Sequence, residues 1–357
     1  WRVPGGAGPM PKAAADDPHA QAREIIETLE MASHRDEDTK EHAKNVGVFR
    51  LACRRAMRDV VRMLDNSIDS GVAIFGVVMK ILGPCLVGLA HALIGFCAYT
   101  YFWHAMPFIE MPGGLPVVYA VSSSGVFLLV NALYNYWRAI CSDPGTAPDY
   151  REATEGQTED IGEMKPRQCQ KCSRLKPARA HHCSVCGKCV LKMDHHCPWI
   201  NNCVGFGNYR HFCLFMWYLA ASCAFVVAVL SYGFSDVIFH LRWRRLPGTR
   251  LGRQFILTAF MICCSIFIAL CILGGFHAYL VLTNQTTIEF QTNMSRRRTA
   301  RKNGEFFRNP YDLGRSRNFQ QVFGPNPFCR FRWAFPAIAQ GPSGNGCDFP
   351  SLRARGR

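Results

Sequence analysis

Residues 192–203 read K-M-D-H-H-C-P-W-I-N-N-C and place an aspartate, two histidines and a cysteine in four successive positions. Cysteine thiolate and neutral imidazole are common zinc ligands, and the same two groups serve as nucleophile and base in covalent catalysis. The stretch therefore indicates either a metal site or a reacting pair. By itself it leaves both open, and the choice depends on how many partners the neighbouring chain offers.

The residues around this stretch are rich in possible ligands. Of the protein's 18 cysteines, seven lie between positions 169 and 203, with four histidines among them. The spacing is C-x2-C, ten residues, then C-x2-C-x2-C. Two thiolates three residues apart can occupy adjacent corners of a tetrahedral zinc site, and a reducing compartment favours metal over disulfides. The candidates are Cys169, Cys172, His181, His182, Cys183, Cys186, Cys189, His195, His196, Cys197 and Cys203.

Two closed zinc sites need eight ligands, so the eleven candidates form a surplus. If each site takes three cysteines and one histidine, one cysteine and two histidines stay uncommitted. Counting does not identify that cysteine. We expect zinc to supply much of the folding free energy of this segment, on the order of 10 kcal/mol per site.

Four apolar segments reach the roughly 20 residues that a membrane-spanning helix needs. Ionisable side chains noted near or inside them are Lys80 and His91, too few to favour a transporter or channel. We expect an α-helical integral membrane protein with four transmembrane helices and a cytosolic, loop-rich, two-zinc domain at 165–215, between the second and third helices. The predicted helices are 81–103, 115–137, 212–234 and 255–282; the first is the end of a longer apolar run that Lys80 and Gly83-Pro84 interrupt.

Lys and Arg near the helix ends predict the orientation, because cytosolic flanks carry an excess of both. Five arginines precede the first span between 50 and 62, and five basic residues follow the fourth between 296 and 302. Both termini and the zinc domain are therefore expected in the cytosol. The basic loop 235–254, predicted to be lumenal, opposes this assignment.

The remaining segments carry weaker signals. Residues 1–44 are expected to be a disordered tail, and 45–70 an amphipathic cytosolic helix that lies on the membrane or packs on the zinc domain. A cytosolic C-terminal region is predicted at 283–335, a loose tail at 336–357, and no internal repeat. The net charge of +15 indicates contact with anionic membrane lipid and not with nucleic acid.

The sequence resembles the DHHC-type palmitoyltransferases, which are integral membrane S-acyltransferases. The resemblance covers roughly residues 75–330. It rests on Cys169-x2-Cys172, Lys176-Pro177-Ala178-Arg179-Ala180-His181-His182-Cys183, Cys186-x2-Cys189, Asp194-His195-His196-Cys197-Pro198-Trp199, Asn201-Asn202-Cys203-Val204-Gly205, Asp143-Pro144-Gly145, Thr286-Thr287-Ile288-Glu289 and Asn318-Phe319.

The resemblance implies a role for each ligand candidate. It implies two structural Zn²⁺ ions, the first held by Cys169, Cys172, His182 and Cys189, and the second by Cys183, Cys186, His196 and Cys203. It leaves Cys197 as the nucleophile, with His195 as its base and Asp194 orienting that histidine. Supporting roles are implied for Thr286, Thr287, Glu289 and Asn318, with Thr287 expected to hydrogen-bond Asp194.

The resemblance also implies an activity, protein-cysteine S-palmitoylation. Cys197 is expected to be acylated by palmitoyl-CoA and to pass the acyl group to a cytosolic cysteine of a membrane-associated protein. No individual contacts to the acyl-CoA are predicted. The Golgi or the endoplasmic reticulum is the implied location. The rival hypothesis is a membrane-anchored zinc scaffold in which Cys197 is merely another ligand.

Overall fold

The computed structural model describes residues 54–55, 57–58, 71, 74–106, 114–149, 167–240, 249–324, 342 and 344–352. The predicted disordered tail at 1–44 lies outside these residues, and so does most of the predicted amphipathic helix at 45–70. Of that helix, Arg54, Arg55, Met57 and Arg58 are described, and all four are helical.

Four long apolar helices are long enough to cross a membrane, which confirms the predicted fold class. They are α1 (Ile74–Ala105), α2 (Leu115–Cys141), α3 (Tyr209–His240) and α4 (Arg250–Leu282). The last turns of α1, Thr100–Ala105, are π-helical. Helix α3 packs against both α2 and α4.

Helix α1 is longer than the predicted span 81–103, because it begins at Ile74, before Lys80, and it continues without a break through Gly83-Pro84. A proline inside a helix removes one backbone hydrogen bond, which membrane helices tolerate when neighbouring groups compensate. Gly83 also has a packing role, since a Cβ at this position would overlap the side chain of Asn201. The glycine therefore lets α1 approach the zinc domain closely.

The segment between α2 and α3 folds as two short antiparallel hairpins. The first pairs β1 (His181–Cys183) with β2 (Lys188–Val190), and the second pairs β3 (His195–Cys197) with β4 (Asn202–Val204). With three residues per strand, hairpins of this size bury little apolar surface and need other stabilisation.

Asparagine side chains fasten the second hairpin to the end of α2. The last carbonyls of a helix have no partner within it, and here Asn202 Nδ2 donates to the carbonyls of Ile140 and Ser142 at 3.1 and 3.0 Å. Asn208 Nδ2 donates to Ala139 at 3.2 Å. The zinc domain is thereby fixed at one end of the membrane helices.

After α4 the chain returns to the zinc domain through α5 (Thr287–Lys302) and α6 (Arg315–Phe323). Helix α5 begins with a capping box, in which the Thr286 hydroxyl accepts from the Glu289 amide and the Glu289 carboxylate accepts from the Thr286 amide. Helix α6 packs against α3 and α4.

The prediction of a loose tail at 336–357 is wrong for residues 344–352, which contact the zinc domain and the segment before α6. Cys347 contacts a buried cluster that includes Cys189 and Leu191, and the Leu352 amide donates to the Pro310 carbonyl at 2.8 Å. The Gly, Ser and Pro content of this tail favours a loose chain, but the contacts of the half-buried Cys347 and Phe349 outweigh that preference.

Candidate active site

The ligand candidates gather into two clusters, each of three cysteines and one histidine. One contains Cys169, Cys172, His182 and Cys189, and the other contains Cys183, Cys186, His196 and Cys203. These are the two sets that the family resemblance implies. Within each cluster, all four ligand atoms lie within 4.8 Å of one another.

The spacing of these atoms fits tetrahedral zinc. With Zn–S near 2.3 Å and Zn–N near 2.0 Å, the edges of such a tetrahedron are about 3.8 Å between sulfurs and about 3.5 Å between sulfur and nitrogen. In the first cluster Cys172 Sγ lies 3.6 Å from Cys189 Sγ. In the second, His196 Nδ1 lies 3.4 Å from Cys186 Sγ and 3.7 Å from Cys203 Sγ. Both clusters therefore fit a closed structural zinc site.

The two hairpins are copies of one pattern, H-H-C, five residues, then C-V, repeated after fourteen residues. The prediction of no internal repeat is therefore wrong at this scale. His182 and His196 are equivalent in the repeat, as are Cys189 and Cys203. In the first hairpin His182 lies opposite Cys189, and in the second His196 lies opposite Cys203. Each hairpin supplies one histidine and one cysteine to its own cluster.

The repeat also explains why Cys197 is left over. Its equivalent in the first hairpin is Cys183, which belongs to the cluster of the second hairpin. By this equivalence Cys197 would be a ligand of a third cluster, but the described residues form only two. The arrangement that makes Cys183 a ligand thus leaves Cys197 free for chemistry.

Asp194, His195 and Cys197 are arranged as a catalytic triad. His195 Nδ1 lies 2.7 Å from a carboxylate oxygen of Asp194, and Cys197 is the other side chain near enough to the imidazole to raise its pKa. Asp194 and Cys197 are buried. A carboxylate on one ring nitrogen fixes the tautomer and directs the other nitrogen to the thiol.

Electrostatics favour a proton on the imidazole. Burial alone would lower the pKa of His195, but hydrogen bonds to Asp194 and Cys197 outweigh it and raise that pKa to about 9. Burial likewise opposes ionisation of Asp194, yet the hydrogen bond and charge of His195 leave the pKa of Asp194 below its usual value. A proton that passes from the Cys197 thiol to the imidazole is therefore stabilised there, as half of a thiolate–imidazolium pair.

Thr287, the first residue of α5, holds Asp194 from the other side. Its amide donates to Asp194 Oδ1 at 2.8 Å and its hydroxyl to Oδ2 at 2.7 Å. The N-terminus of a helix favours a carboxylate because its free amides and its dipole both stabilise negative charge. The contact expected between Thr287 and Asp194 is present.

Arg179, to which the sequence assigns no role, anchors this helix start. Its side chain is only 1% exposed and makes two hydrogen bonds with the Glu289 carboxylate, at 2.6 and 2.7 Å. The guanidinium lies over the rings of Tyr311 and Phe349, at 4.3 and 4.8 Å from their centroids. Glu289 thus links the capping box of α5 to the first hairpin, and Thr286 lies inside that box.

Asn318 is fully buried and lies away from the triad. Its amide donates to the Leu282 carbonyl at 2.7 Å, near the end of α4, and its side-chain oxygen accepts from the Leu313 amide at 2.9 Å. Its contacts therefore position the start of α5 indirectly, by fixing the end of the preceding helix.

A cavity of about 750 Å³ opens beside the triad and extends between the membrane helices. His195, Cys197 and Thr287 lie at its polar part, and the rest is apolar, lined by residues such as Leu93, Leu129 and Leu219. Its volume lies within the roughly 300–1,000 Å³ of ligand sites. A long acyl chain would gain about 0.8 kcal/mol for each methylene buried there.

Comparison with known proteins identifies the family. The family model for DHHC palmitoyltransferase matches residues 162–294. The chain is 38% identical over 267 residues to probable protein S-acyltransferase 16 of Arabidopsis thaliana, across 69% of this chain and 91% of that protein. It belongs to the DHHC palmitoyltransferase family.

Two vertebrate members of the DHHC family are also similar. Palmitoyltransferase ZDHHC15 of Xenopus laevis is 32% identical over 283 residues, which cover 72% of this chain and 78% of that protein. Palmitoyltransferase ZDHHC2 of Mus musculus is 40% identical over 187 residues, 52% of this chain and 46% of that protein. The chain therefore aligns with less than half the length of the mouse protein.

Beyond Arg179, this DHHC protein has a second residue at the site that the sequence prediction overlooks. The sequence prediction rests on Lys80 and His91 as the ionisable residues near or inside the spans. His277 also lies in a span, α4, and lines the cavity beside Cys197. One histidine within the predicted span 255–282 was the available signal, and it was hidden among apolar neighbours.

Proposed function

We propose that this membrane protein is a protein-cysteine S-palmitoyltransferase whose nucleophile is Cys197. The observation that supports it is the position of the triad: Cys197 and His195 together line an apolar cavity between the membrane helices. A fatty acyl chain held there would bring its thioester to Cys197. Palmitoyl-CoA is the acyl donor that the family uses.

The first step forms an acyl-enzyme. His195 takes the proton of the Cys197 thiol, and the thiolate forms a bond to the carbonyl carbon of palmitoyl-CoA. The C–S bond to CoA then breaks, and the leaving thiolate receives a proton from His195. In the second step a substrate cysteine attacks the acyl-enzyme in the same way, so one thioester replaces another with little change in free energy.

The residues around Cys197 lower the cost of these steps. Asp194 holds the tautomer of His195 and stabilises the imidazolium, and Thr287 holds Asp194. The two zinc ions, when bound by the two Cys/His clusters, stabilise the hairpins and leave no coordination position open for substrate. Lys and Arg side chains on the proposed cytosolic side of the protein would favour binding of the CoA phosphates, because both residues bind phosphate strongly.

A two-step transfer assay tests this function. The chain in lipid nanodiscs is incubated with radiolabelled palmitoyl-CoA, and we expect label that neutral hydroxylamine releases, together with free CoA. Addition of a cysteine-containing peptide with a membrane anchor should then move the label to the peptide. Label that resists hydroxylamine, or that stays on the protein in the presence of peptide, would contradict the proposal.

We also propose that the zinc domain and both termini face the cytosol of the Golgi or endoplasmic reticulum. The basic residues before α1 and after α4 support this orientation, since cytosolic flanks carry the Lys and Arg excess. With the plasma membrane selectively permeabilised, epitope tags at both ends should be accessible to antibody, whereas a tag within 241–248 should not. Access to that loop tag in intact organelles would show that the orientation is wrong.

A further inference from the structure

His277 is a buried histidine within a membrane span that the reaction described above does not use. Its residue surface is only 2% exposed, and it lines the same cavity as His195 and Cys197. A polar, ionisable side chain within a membrane helix is costly, and such residues commonly serve substrate binding or proton transfer. The position of His277 therefore calls for a specific role.

The imidazole of His277 is held in one orientation. Tyr209 Oη lies 3.0 Å from His277 Nδ1. The ring of Phe212 packs edge-on at 5.2 Å between centroids. A neutral imidazole carries one N–H, so when the tyrosine hydroxyl donates to Nδ1, the proton lies on Nε2. We assign this tautomer because it pairs the hydroxyl donor with an acceptor.

The His277 ring also lies close to the reacting groups. Its centroid is 6.0 Å from that of His195, which lines the cavity together with Cys197. In a thioester on Cys197 the carbonyl oxygen is only two bonds from Sγ. That oxygen would therefore lie close to Cys197, in the cavity that His195 and His277 both line.

We propose that His277 is a catalytic residue that donates its Nε2 hydrogen to the thioester carbonyl oxygen, with Tyr209 as its positioning residue. This rests on the proposed function. When the Cys197 thiolate bonds to the carbonyl carbon, the π electrons move to oxygen, and the oxyanion accepts the hydrogen bond. When the carbonyl re-forms, the C–S bond to CoA breaks and His195 protonates the CoA thiolate.

Substitutions at His277 test the donor by its position. Glutamine places an amide N–H near the former Nε2, whereas asparagine places it near the former Nδ1. Loss of an oxyanion donor costs about 100- to 1,000-fold in rate, and we expect this loss in the single-turnover acylation of Cys197 for His277→Ala and His277→Asn. His277→Gln should recover a large part of it, and Tyr209→Phe should have a smaller defect.

A matched control is His91, another histidine within a membrane helix, whose Nδ1 bonds the Val87 carbonyl at 2.8 Å. The cavity lining does not include it. His91→Gln should leave the acylation rate unchanged. Zinc content and the thermal unfolding midpoint should be the same in all His277 variants, which separates a catalytic defect from a folding defect.

An atom-specific substrate gives a second, independent measurement. A palmitoyl-CoA analogue with sulfur in place of the carbonyl oxygen accepts a weaker hydrogen bond. The native protein should therefore prefer the oxygen substrate, and His277→Ala should lose much of this preference. Equal preference in both proteins, or native-like acylation by folded His277→Ala, would overturn the proposal. If neither protein acylates Cys197 at all, the proposed function itself has failed.

Discussion

Replacing Cys197 by serine is expected to abolish acylation while both zinc ions remain bound, whereas replacing Cys183 by serine should remove one zinc ion as well as the activity. The two cysteines occupy equivalent positions in the two hairpins. Only Cys183 lies within a metal cluster. The pair is therefore a matched comparison of the same chemical change at a proposed nucleophile and at a proposed ligand.

The sizes of the two effects follow from the roles of the thiols. A serine hydroxyl at 197 is far less acidic than a thiol and is not activated by an imidazole alone to the same extent. Serine at 183 removes one of four ligands from a site worth on the order of 10 kcal/mol of folding free energy. Zinc measured by mass spectrometry, unfolding midpoints and hydroxylamine-sensitive label together separate the outcomes.

Two results would refute these assignments. Hydroxylamine-sensitive label on folded Cys197→Ser would mean that another cysteine is the nucleophile. Loss of a zinc ion from Cys197→Ser would mean that Cys197 is itself a ligand, as the scaffold hypothesis requires.

Replacing Arg179 or Glu289 by methionine is expected to destabilise the protein strongly and to lower the acylation rate. The pair is almost completely shielded from solvent, with exposed side-chain fractions of 1% and 16%. Loss of one partner leaves a buried charge without compensation, which costs about 3–5 kcal/mol. Activity should fall as well, because Glu289 caps the helix whose first residue, Thr287, holds Asp194.

The double variant and a surface ion pair serve as controls. The combined replacement of Arg179 and Glu289 by methionine should be less damaging than the sum of the two single changes, since it leaves no unpaired charge. Lys188→Met removes a pair in which Lys188 Nζ lies 3.8 Å from Asp143 Oδ1, with side chains 35% and 62% exposed. Such exposed pairs contribute about 1 kcal/mol or less. Additive losses at Arg179 and Glu289 would show that their pairing does not matter.

The zinc domain could be predicted well from its residues because its ligands are close in sequence and chemically distinctive. Thiol and imidazole groups in C-x2-C spacing restrict the local geometry to that of a metal site. The division into two clusters came from the family resemblance, and the hairpin repeat that explains it became visible once the strand registers were known.

Arg179, His277 and the tail at 344–352 were not predicted from the sequence, because their partners are distant along the chain. Arg179 pairs with a residue 110 positions away, and Tyr209 is 68 positions from His277. Local pattern says nothing about such contacts. The half-buried position of Cys347 and Phe349 depends on contacts with the zinc domain and with Tyr311, which form only in the folded protein.

By itself the sequence determined the chemistry that is available: four apolar segments long enough to span a membrane, enough cysteines and histidines for two zinc sites, and one cysteine in excess. Hydrophobic length and ligand spacing are local properties, so they can be read along the chain. Only the tertiary structure decided where that cysteine faces. It places Cys197 at an apolar cavity, sets Thr287 against Asp194, and brings His277 beside His195, because packing of α4 and α5 against the hairpins joins residues that are far apart in sequence.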